Sequence, residues 1–582
     1  MLSARALRFM ALFSAAALAQ ETSALELNRV ELRGIDGELA ANVRAQLSLD
    51  RLTEAQRASV SETRLSYLLR AAPDEVQQGL EPYGYYDAKV SSEVIRSGEQ
   101  VTVRLLVELG EPVRVRVLDV LMNGPAKDDA VVAARVAGFR PRPGELFHHA
   151  VYENGKAAVA RELAARGYFD AELGVHRVAV TRAEHAADIG LSWQSGRRYT
   201  LGAVHFDGSQ FRPGLLEPLV PWRPGAPYEQ AQLLALQQSL ADTDYFSGIS
   251  LLPEPEKAVD GQVPLKVTLV PGKRSVYNLG LRYGSDSGAG INARLERRWL
   301  NDRGHKMLVD LNLAQFKSDL IAQYRVPAFG WLDGWVTYSA GLHEEQIEDV
   351  TTQIIDVAAT RSGRWRGWNL LAGLNFKRER YDSFDGGEFG YATLVYPSLW
   401  GQWKQSDDVN TPQRARGLTI ELRGGARALG SDVDFLQVRA EGRYIRGIGA
   451  SNRLLLRGEL GSTFSSGFDG LPPSMRFYAG GDKSVRGYDY KEIGQRINAH
   501  VVGGKHLAVL SAEFEHMFTP VWGAAAFVDA GDAFDQEFAA EIGIGAGLRW
   551  RSPVGPVRVD IAHGLGSPDQ SFRLHISIGP DL

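Results

Sequence analysis

From about Ser275 onward, apolar and polar residues alternate one by one. In Phe435–Tyr444, Leu436, Val438, Ala440 and Tyr444 alternate with Gln437, Arg439, Glu441 and Arg443. Val557, Val559 and Ile561 alternate with Arg558 and Asp560; Phe572, Leu574, Ile576 and Ile578 alternate with Arg573, His575 and Ser577. Leu510, Ala512 and Phe514 stand against Ser511, Glu513 and Glu515. Side chains on a strand point to opposite faces in turn, so each segment predicts a strand with one apolar and one charged face. Sixteen such segments fit between about residues 275 and 580, and many are roughly 9–11 residues long, the span of a tilted transmembrane strand. Short connections such as RGIGASN and KSD are expected on one side, and longer ones such as Tyr381–Phe389 and Lys404–Arg416 on the other. An even strand number and a polar interior predict a 16-stranded antiparallel transmembrane β-barrel over 275–582. Closure matters, because every backbone polar group must be paired inside a bilayer. Trp299, Trp331, Trp335, Trp365, Trp368, Trp400 and Trp403 mostly fall near strand ends, where an interfacial girdle is expected.

Between Leu25 and Arg274 the texture is mixed, and a unit recurs at roughly 80–90 residues. Each unit opens on a strand running to glycine: Gly34, Gly124 and Gly208. Helical stretches follow, then an aromatic turn: GYYDAKV from Gly84, GYFDAEL from Gly167, DYFSGISL from Asp244. Strands such as QVTVRLLVEL close each unit. The expected domains are 25–111, 112–197 and 198–274, giving an α+β half before an all-β half. The third turn has Asp244 where the others have glycine.

The amino terminus adds a destination. Arg5 and Arg8, the apolar run Phe9–Leu18 and the small-x-small site Ala17–Ala19 predict a signal peptide over 1–19, with a second site extending it to 24. The chain has no cysteine, which excludes disulfides and thiolate metal sites. Its net charge of −5 gives no footprint for nucleic acid. Catalytic motifs are missing: HEEQI at His343 has Ile347 where a zinc-binding histidine would stand, and no helix pattern follows Gly480-Gly481 to bind phosphate. No catalytic residue, metal or cofactor is expected.

One connection stands apart. RFYAGGDKSVRGYDY, Arg476–Tyr490, lies between strands ending near Phe464 and starting near Lys505. Connections of that length are usually functional or disordered. SVRGYDY resembles the Val-Arg-Gly-aromatic signature of the outer-membrane assembly superfamily that includes BamA, TamA and the two-partner secretion transporters. The repeated unit resembles the POTRA module of the same proteins. FVDAG, Phe527–Gly531, resembles their aromatic-x-Asp-x-Gly wall motif. The resemblance implies that the loop at about 464–504 folds into the lumen, where Arg486 contacts acidic wall residues. Alternation puts Phe527 and Asp529 on the face opposite Ala526, Val528 and Ala530, and puts Glu513 inward on the preceding strand. Arg486, Gly487, Tyr488, Asp529 and Glu513 are therefore the candidate lock, with Phe527 and Gly531 as its wall.

Three POTRA-like modules look most like TamA-type members. The resemblance implies an outer-membrane location with modules in the periplasm, and a role in inserting or translocating β-barrel or autotransporter proteins. It implies a TamB-like partner, unfolded outer-membrane clients and contact with outer-membrane lipid. It also implies a lateral gate between first and last strands, near Gly579 and Pro580, where proline withholds an amide from the ladder. A transporter passing one client through the lumen and a passive porin are the alternatives.

Overall fold

The computed structural model describes residues 25–284, 287–330, 334–347, 350–382, 389–497, 500–553, 555–567 and 571–578. The expected signal peptide, Trp331, Gly579 and Pro580 lie outside them. The chain divides into two compact units: 25–203 with 224–232 and 254–264, and 204–223 with 233–253 and 265–582.

Three three-stranded sheets share one pattern, in which the last strand in sequence lies in the middle. The first contains β1 (Glu26–Arg33), β2 (Lys89–Ser97) and β3 (Gln100–Glu108), ordered β1-β3-β2. Between β1 and β2 run α1 (Gly37–Gln46), α2 (Glu54–Arg57) and α3 (Glu62–Leu80). The second contains β4 (Arg114–Asn123), then α4 (Ala130–Ala137) and α5 (His149–Ala165), then β5 (Glu172–Thr181) and β6 (Ala186–Gln194), ordered β4-β6-β5. The third contains β7 (Thr200–Asp207), α6 (Gln230–Ala241), β8 (Phe246–Pro253) and β9 (Gln262–Pro271), ordered β7-β9-β8. The middle strands carry the strictest alternation because one face meets helices. Val101, Val103, Leu105 and Val107 are buried on β3 beneath Leu65, Leu68, Ala72, Val76 and Leu80, which recur at helical spacing on α3. The Ser61 hydroxyl accepts a hydrogen bond from the Arg64 amide and starts that helix.

The aromatic turns are joints. In the first unit, the Gly84 carbonyl accepts from the Val113 amide at 2.8 Å. Tyr86 enters the core formed by the second sheet and its helices, and its hydroxyl meets His149 Nε2 at 2.7 Å. Gly167 repeats the device: its carbonyl accepts from Tyr199, and Phe169 packs on Tyr199 and Tyr228. Both glycines have positive φ, and a Cβ would come within 2.7 Å of the Phe147 carbonyl oxygen or Tyr228 Cβ. The third turn belongs to the second unit. Tyr245 is fully buried there, its hydroxyl donating to the Gly304 carbonyl and its ring packing on Phe211 and Trp335. Lys306 Nζ lies 5.0 Å from the Tyr245 ring and 5.1 Å from that of Trp335. Asp244 keeps the left-handed backbone at φ 54°. Aspartate tolerates that conformation better than most residues.

The second unit also holds a sixteen-stranded antiparallel sheet. Its strands are β10 (Ser275–Gly284), β11 (Gly288–Arg297), β12 (Lys306–Ala314), β13 (Lys317–Ala328), β14 (Gly334–Ile347), β15 (Val350–Trp365), β16 (Trp368–Tyr381), β17 (Gly390–Ser406), β18 (Arg414–Gly425), β19 (Phe435–Ile448) and β20 (Asn452–Ser465). A two-residue ladder of β21 (Arg496–Ile497) and β22 (His500–Val501) lies in the long connection. Then follow β23 (His506–Met517), β24 (Trp522–Phe534), β25 (Glu541–Ser552), β26 (Gly555–Gly564) and β27 (Phe572–Ile578). One face is apolar and exposed, with Leu279, Leu374, Leu436, Leu460, Leu510 and Leu574. The other carries buried charge, including Glu379, Glu513, Asp529 and Asp560. No helix among the described residues is long and apolar enough to cross a membrane.

Three expectations change. Strands β14 to β17 have 14, 16, 14 and 17 residues, beyond the expected length. Successive connections alternate ends, so the turn before Lys317 and the turn before Asn452 lie at opposite ends, as do 382–389 and 407–413. Parity, not length, assigns the side. Trp335 and Trp299 contact Tyr245 and Phe211 instead of forming a girdle, whereas Trp368 pairs across the ladders with Trp365 and Trp403 on the apolar face.

Glycine is thus required at the first joint but dispensable at the third. Gly84→Val is expected to destabilise the joint by about 1–3 kcal/mol, read as faster hydrogen exchange at the Val113 amide. Asp244→Gly should leave exchange around Tyr245 within about threefold of wild type, because little backbone strain is removed.

Candidate functional site

The connection from residue 466 to 505 leaves β20 and returns to β23 across the polar face of the sheet. Its own core joins Phe477, Ala479, Val485, Tyr488 and Ile493 with Leu507, Val509 and Ala533 of the sheet. Short 3₁₀ turns at Phe468–Gly470 and Pro473–Met475, with the Arg476 guanidinium bonding the Leu471, Asp469 and Val502 carbonyls, give it a fixed shape.

At one end of this loop, Arg486 is buried, with 7% of its surface exposed. Its Nε donates to Asp529 Oδ2 at 2.8 Å and its Nη2 to Asp529 Oδ1 at 3.1 Å, a two-pronged pair. Its Nη1 reaches Glu513 Oε2 at 2.8 Å and Asp560 Oδ2 at 2.9 Å. Its backbone amide also donates to Asp529. The guanidinium carbon lies 3.3 Å from the Phe527 ring centre. Asp529 accepts a further bond from the Ser511 hydroxyl, its cross-strand partner. Glu513 stands opposite Phe527, so the two carboxylates are diagonal neighbours and one guanidinium can span them.

The backbone around Arg486 requires close approach. Gly487 has φ 93°, and a Cβ there would lie 2.5 Å from the Gly564 amide nitrogen. The Gly487 amide donates to His575 Nε2 on β27 at 3.0 Å, and His575 Nδ1 bonds Asp482 of the loop. Tyr488 donates to Glu541 at 2.6 Å and accepts from the Gly566 amide at 2.9 Å. At Gly531 a Cβ would lie 2.8 Å from Val509 Cγ2 and 3.1 Å from Val485 Cγ2, so this wall glycine makes room for the loop.

Charge is shared more widely than the sequence pattern shows. Arg549 bonds Glu513, Glu515 and Asp560, and Arg453 bonds Glu515. Glu513, Asp560 and Arg486 line a cavity of about 400 Å³ together with Arg457, Lys483 and Arg558. Asp560, Arg549 and His575 sit on the polar face of alternating strands, which was the available signal. Many other charges share that property, and strand stagger selects among them.

The loop also grips strands at the far side of the sheet. Tyr490 and Lys491 bond the two oxygens of Glu345 on β14 at 2.9 and 3.0 Å. Glu379 on β16 accepts from the Ser474 amide and hydroxyl. A loop bonded to β14 and β16 as well as to β23, β24, β26 and β27 lies inside a sheet curled into a barrel. Glu345 belongs to the HEEQI stretch, whose glutamate serves the loop. Gly579 and Pro580 fall outside the described residues, and among those described no ladder pairs β27 with β10.

Residues 300–581 match the Omp85 superfamily domain, and residues 29–109 match the first POTRA domain of TamA. The barrel region is thus similar to the Omp85 superfamily domain. It follows a periplasmic POTRA domain and lies in the outer membrane. The outer membrane protein assembly factor BamA of Nitratidesulfovibrio vulgaris is 23% identical over 530 residues, covering 85% of this chain and 66% of its own length. BamA of Neisseria meningitidis serogroup B is 19% identical over 571 residues, covering 85% and 70%. The chain thus spans about two thirds of the length of these curated relatives. The crystal structure of BamA from Haemophilus ducreyi lacking POTRA domains 1–3 superposes with a TM-score of 0.67 at 16% identity, over 80% of this chain and 99% of that one. The barrel fold is therefore shared.

Removing the guanidinium takes the ion pair from buried Asp529 and leaves Glu513 and Asp560 to Arg549. Arg486→Ala should cost about 3–5 kcal/mol of barrel stability, seen as a lower temperature for the shift from folded to unfolded mobility in detergent gels. Arg486→Lys, which keeps charge but loses the fork, should fall between. The opposite anchor should behave as a coupled pair: in a Glu345→Gln and Lys491→Met double-mutant cycle, unfolding should give a coupling energy of about 0.5–3 kcal/mol.

Proposed function

We propose that the protein is an outer-membrane assembly factor of the TamA type, with three POTRA modules in series before the Omp85 barrel. The observation carrying this reading is the pinned lumen loop, which bonds the last barrel strand through Gly487 and His575. A loop fixed across the lumen by Arg486 on one side and Glu345 on the other is poorly suited to a passive porin. The related BamA proteins are named assembly factors, which supports the same class of work for this barrel.

In this reading the seam between β27 and β10 is the working edge. An unpaired strand edge exposes amides and carbonyls that template an incoming strand. Lateral opening there lets a client β-strand add by main-chain hydrogen bonds, which demand little of its sequence. The lumen loop keeps the wall beside the seam rigid while the edge opens. The POTRA sheets offer further edges to unfolded outer-membrane clients and to a TamB-like periplasmic partner. No covalent chemistry is involved, so the protein is not an enzyme in this reading and needs no cofactor.

Because the chain has no cysteine, an engineered pair across the seam is unambiguous. A cystine joining β10 to β27 should abolish insertion of a β-barrel client into proteoliposomes, with recovery on reduction. Full activity in the oxidised, cross-linked form sinks the lateral gate.

A further inference from the structure

Arginines on the outward face of a membrane barrel need partners. Arg297 donates to the Ser275 hydroxyl at 3.0 Å, and Arg361 to the Ala328 carbonyl at 2.8 Å. Arg414, Arg416 and Arg446 differ. They lie on the face of β18 and β19 that carries Ile420, Leu422, Leu436 and Val438, and all three are exposed. Arg414 and Arg446 are direct cross-strand partners. Like charges so placed destabilise a sheet unless something neutralises them. Arg416 lies two residues along the same face, opposite Tyr444, with its guanidinium 5.8 Å from that ring. Among the described residues no carboxylate pairs with any of the three guanidinium groups. Asp407 is close in sequence, but its Oδ1 is taken by the Gln413 and Arg414 backbone amides.

The place is as specific as the charge. The chain enters β10 from the periplasmic modules, so the end carrying Arg414 and Arg446 is the periplasmic end. Along β18 the outward residues pass from Ile420 and Leu418 to Arg416 and Arg414. That is the change from acyl chains to headgroups, marked by a tyrosine at the boundary. A cavity of about 760 Å³ opens there, lined by Gln405, Arg414, Arg416, Tyr444 and Arg446 among others.

We propose that Arg414, Arg416 and Arg446 form a binding site for the phosphate of an anionic phospholipid in the periplasmic leaflet. Guanidinium forks match phosphate oxygens, and three of them around one group resolve the like-charge pair. The acyl chains lie along Leu418 and Ile420. The site is independent of the lumen loop and anchors the β17–β19 side of the barrel, away from the β27–β10 edge.

The test is native mass spectrometry of the full-length protein released from nanodiscs of equal phosphatidylglycerol and phosphatidylcholine. Wild type should retain phosphatidylglycerol in preference to phosphatidylcholine. R414Q/R416Q/R446Q should lose that preference by about tenfold or more, while R361Q should keep it. Unchanged folded mobility of the triple variant in detergent gels separates lost binding from lost folding. A well-folded triple variant with wild-type retention overturns the proposal. So does release of the lipid from wild type by millimolar inorganic phosphate, which marks the site as one for the free anion.

Discussion

One buried guanidinium organises this barrel. Arg486 holds three carboxylates from three strands, Asp529 on β24, Glu513 on β23 and Asp560 on β26. Each carboxylate is nearly inaccessible to solvent and repels the others. Together they are tolerable only with a cation fixed among them, because the cost of dehydrating charge is offset only by close, well-aligned partners. The loop supplies the cation that all three share, Arg549 on β25 adds a second to Glu513 and Asp560, and the wall gives the loop its position. Neither conformation is sensible alone, so loop and wall form one folding unit.

The second anchor turns a plug into a strut. Lys491 and Tyr490 meet Glu345 on the opposite wall, and Ser474 meets Glu379. The loop therefore crosses the lumen and braces it. Bonds from Gly487 and Asp482 to His575 carry the brace to the last strand. That strand is the one for which no closing ladder is present among the described residues.

The joints between the small α+β modules obey a related constraint. At Gly84 and Gly167 the following chain packs so closely that a Cβ has no room. At Asp244 the positive φ persists but glycine does not, and the neighbouring Tyr245 donates its hydroxyl to the Gly304 carbonyl. The departure of the third repeat from the first two is a change of neighbour, not decay of a motif.

Alternation alone determined that the second half of the chain builds strands with an apolar and a charged face, and that Asp529 and Glu513 share the charged one. Those are local consequences of a period of two, which any strand obeys. Sequence spacing in the first half likewise showed three repeats of strand, helices and paired strands. Only the tertiary structure decided which inward charges meet. Asp560 and Arg549 carry the same local signal as Arg439 or Glu441, and barrel stagger brings Asp560 to Arg486 and Arg549 to Asp560. The side on which each connection lies was also hidden, because it depends on counting every strand and not on loop length. Glu345 shows the limit most plainly. In sequence it belongs to a failed zinc motif, and in the folded chain it holds a loop 146 residues away.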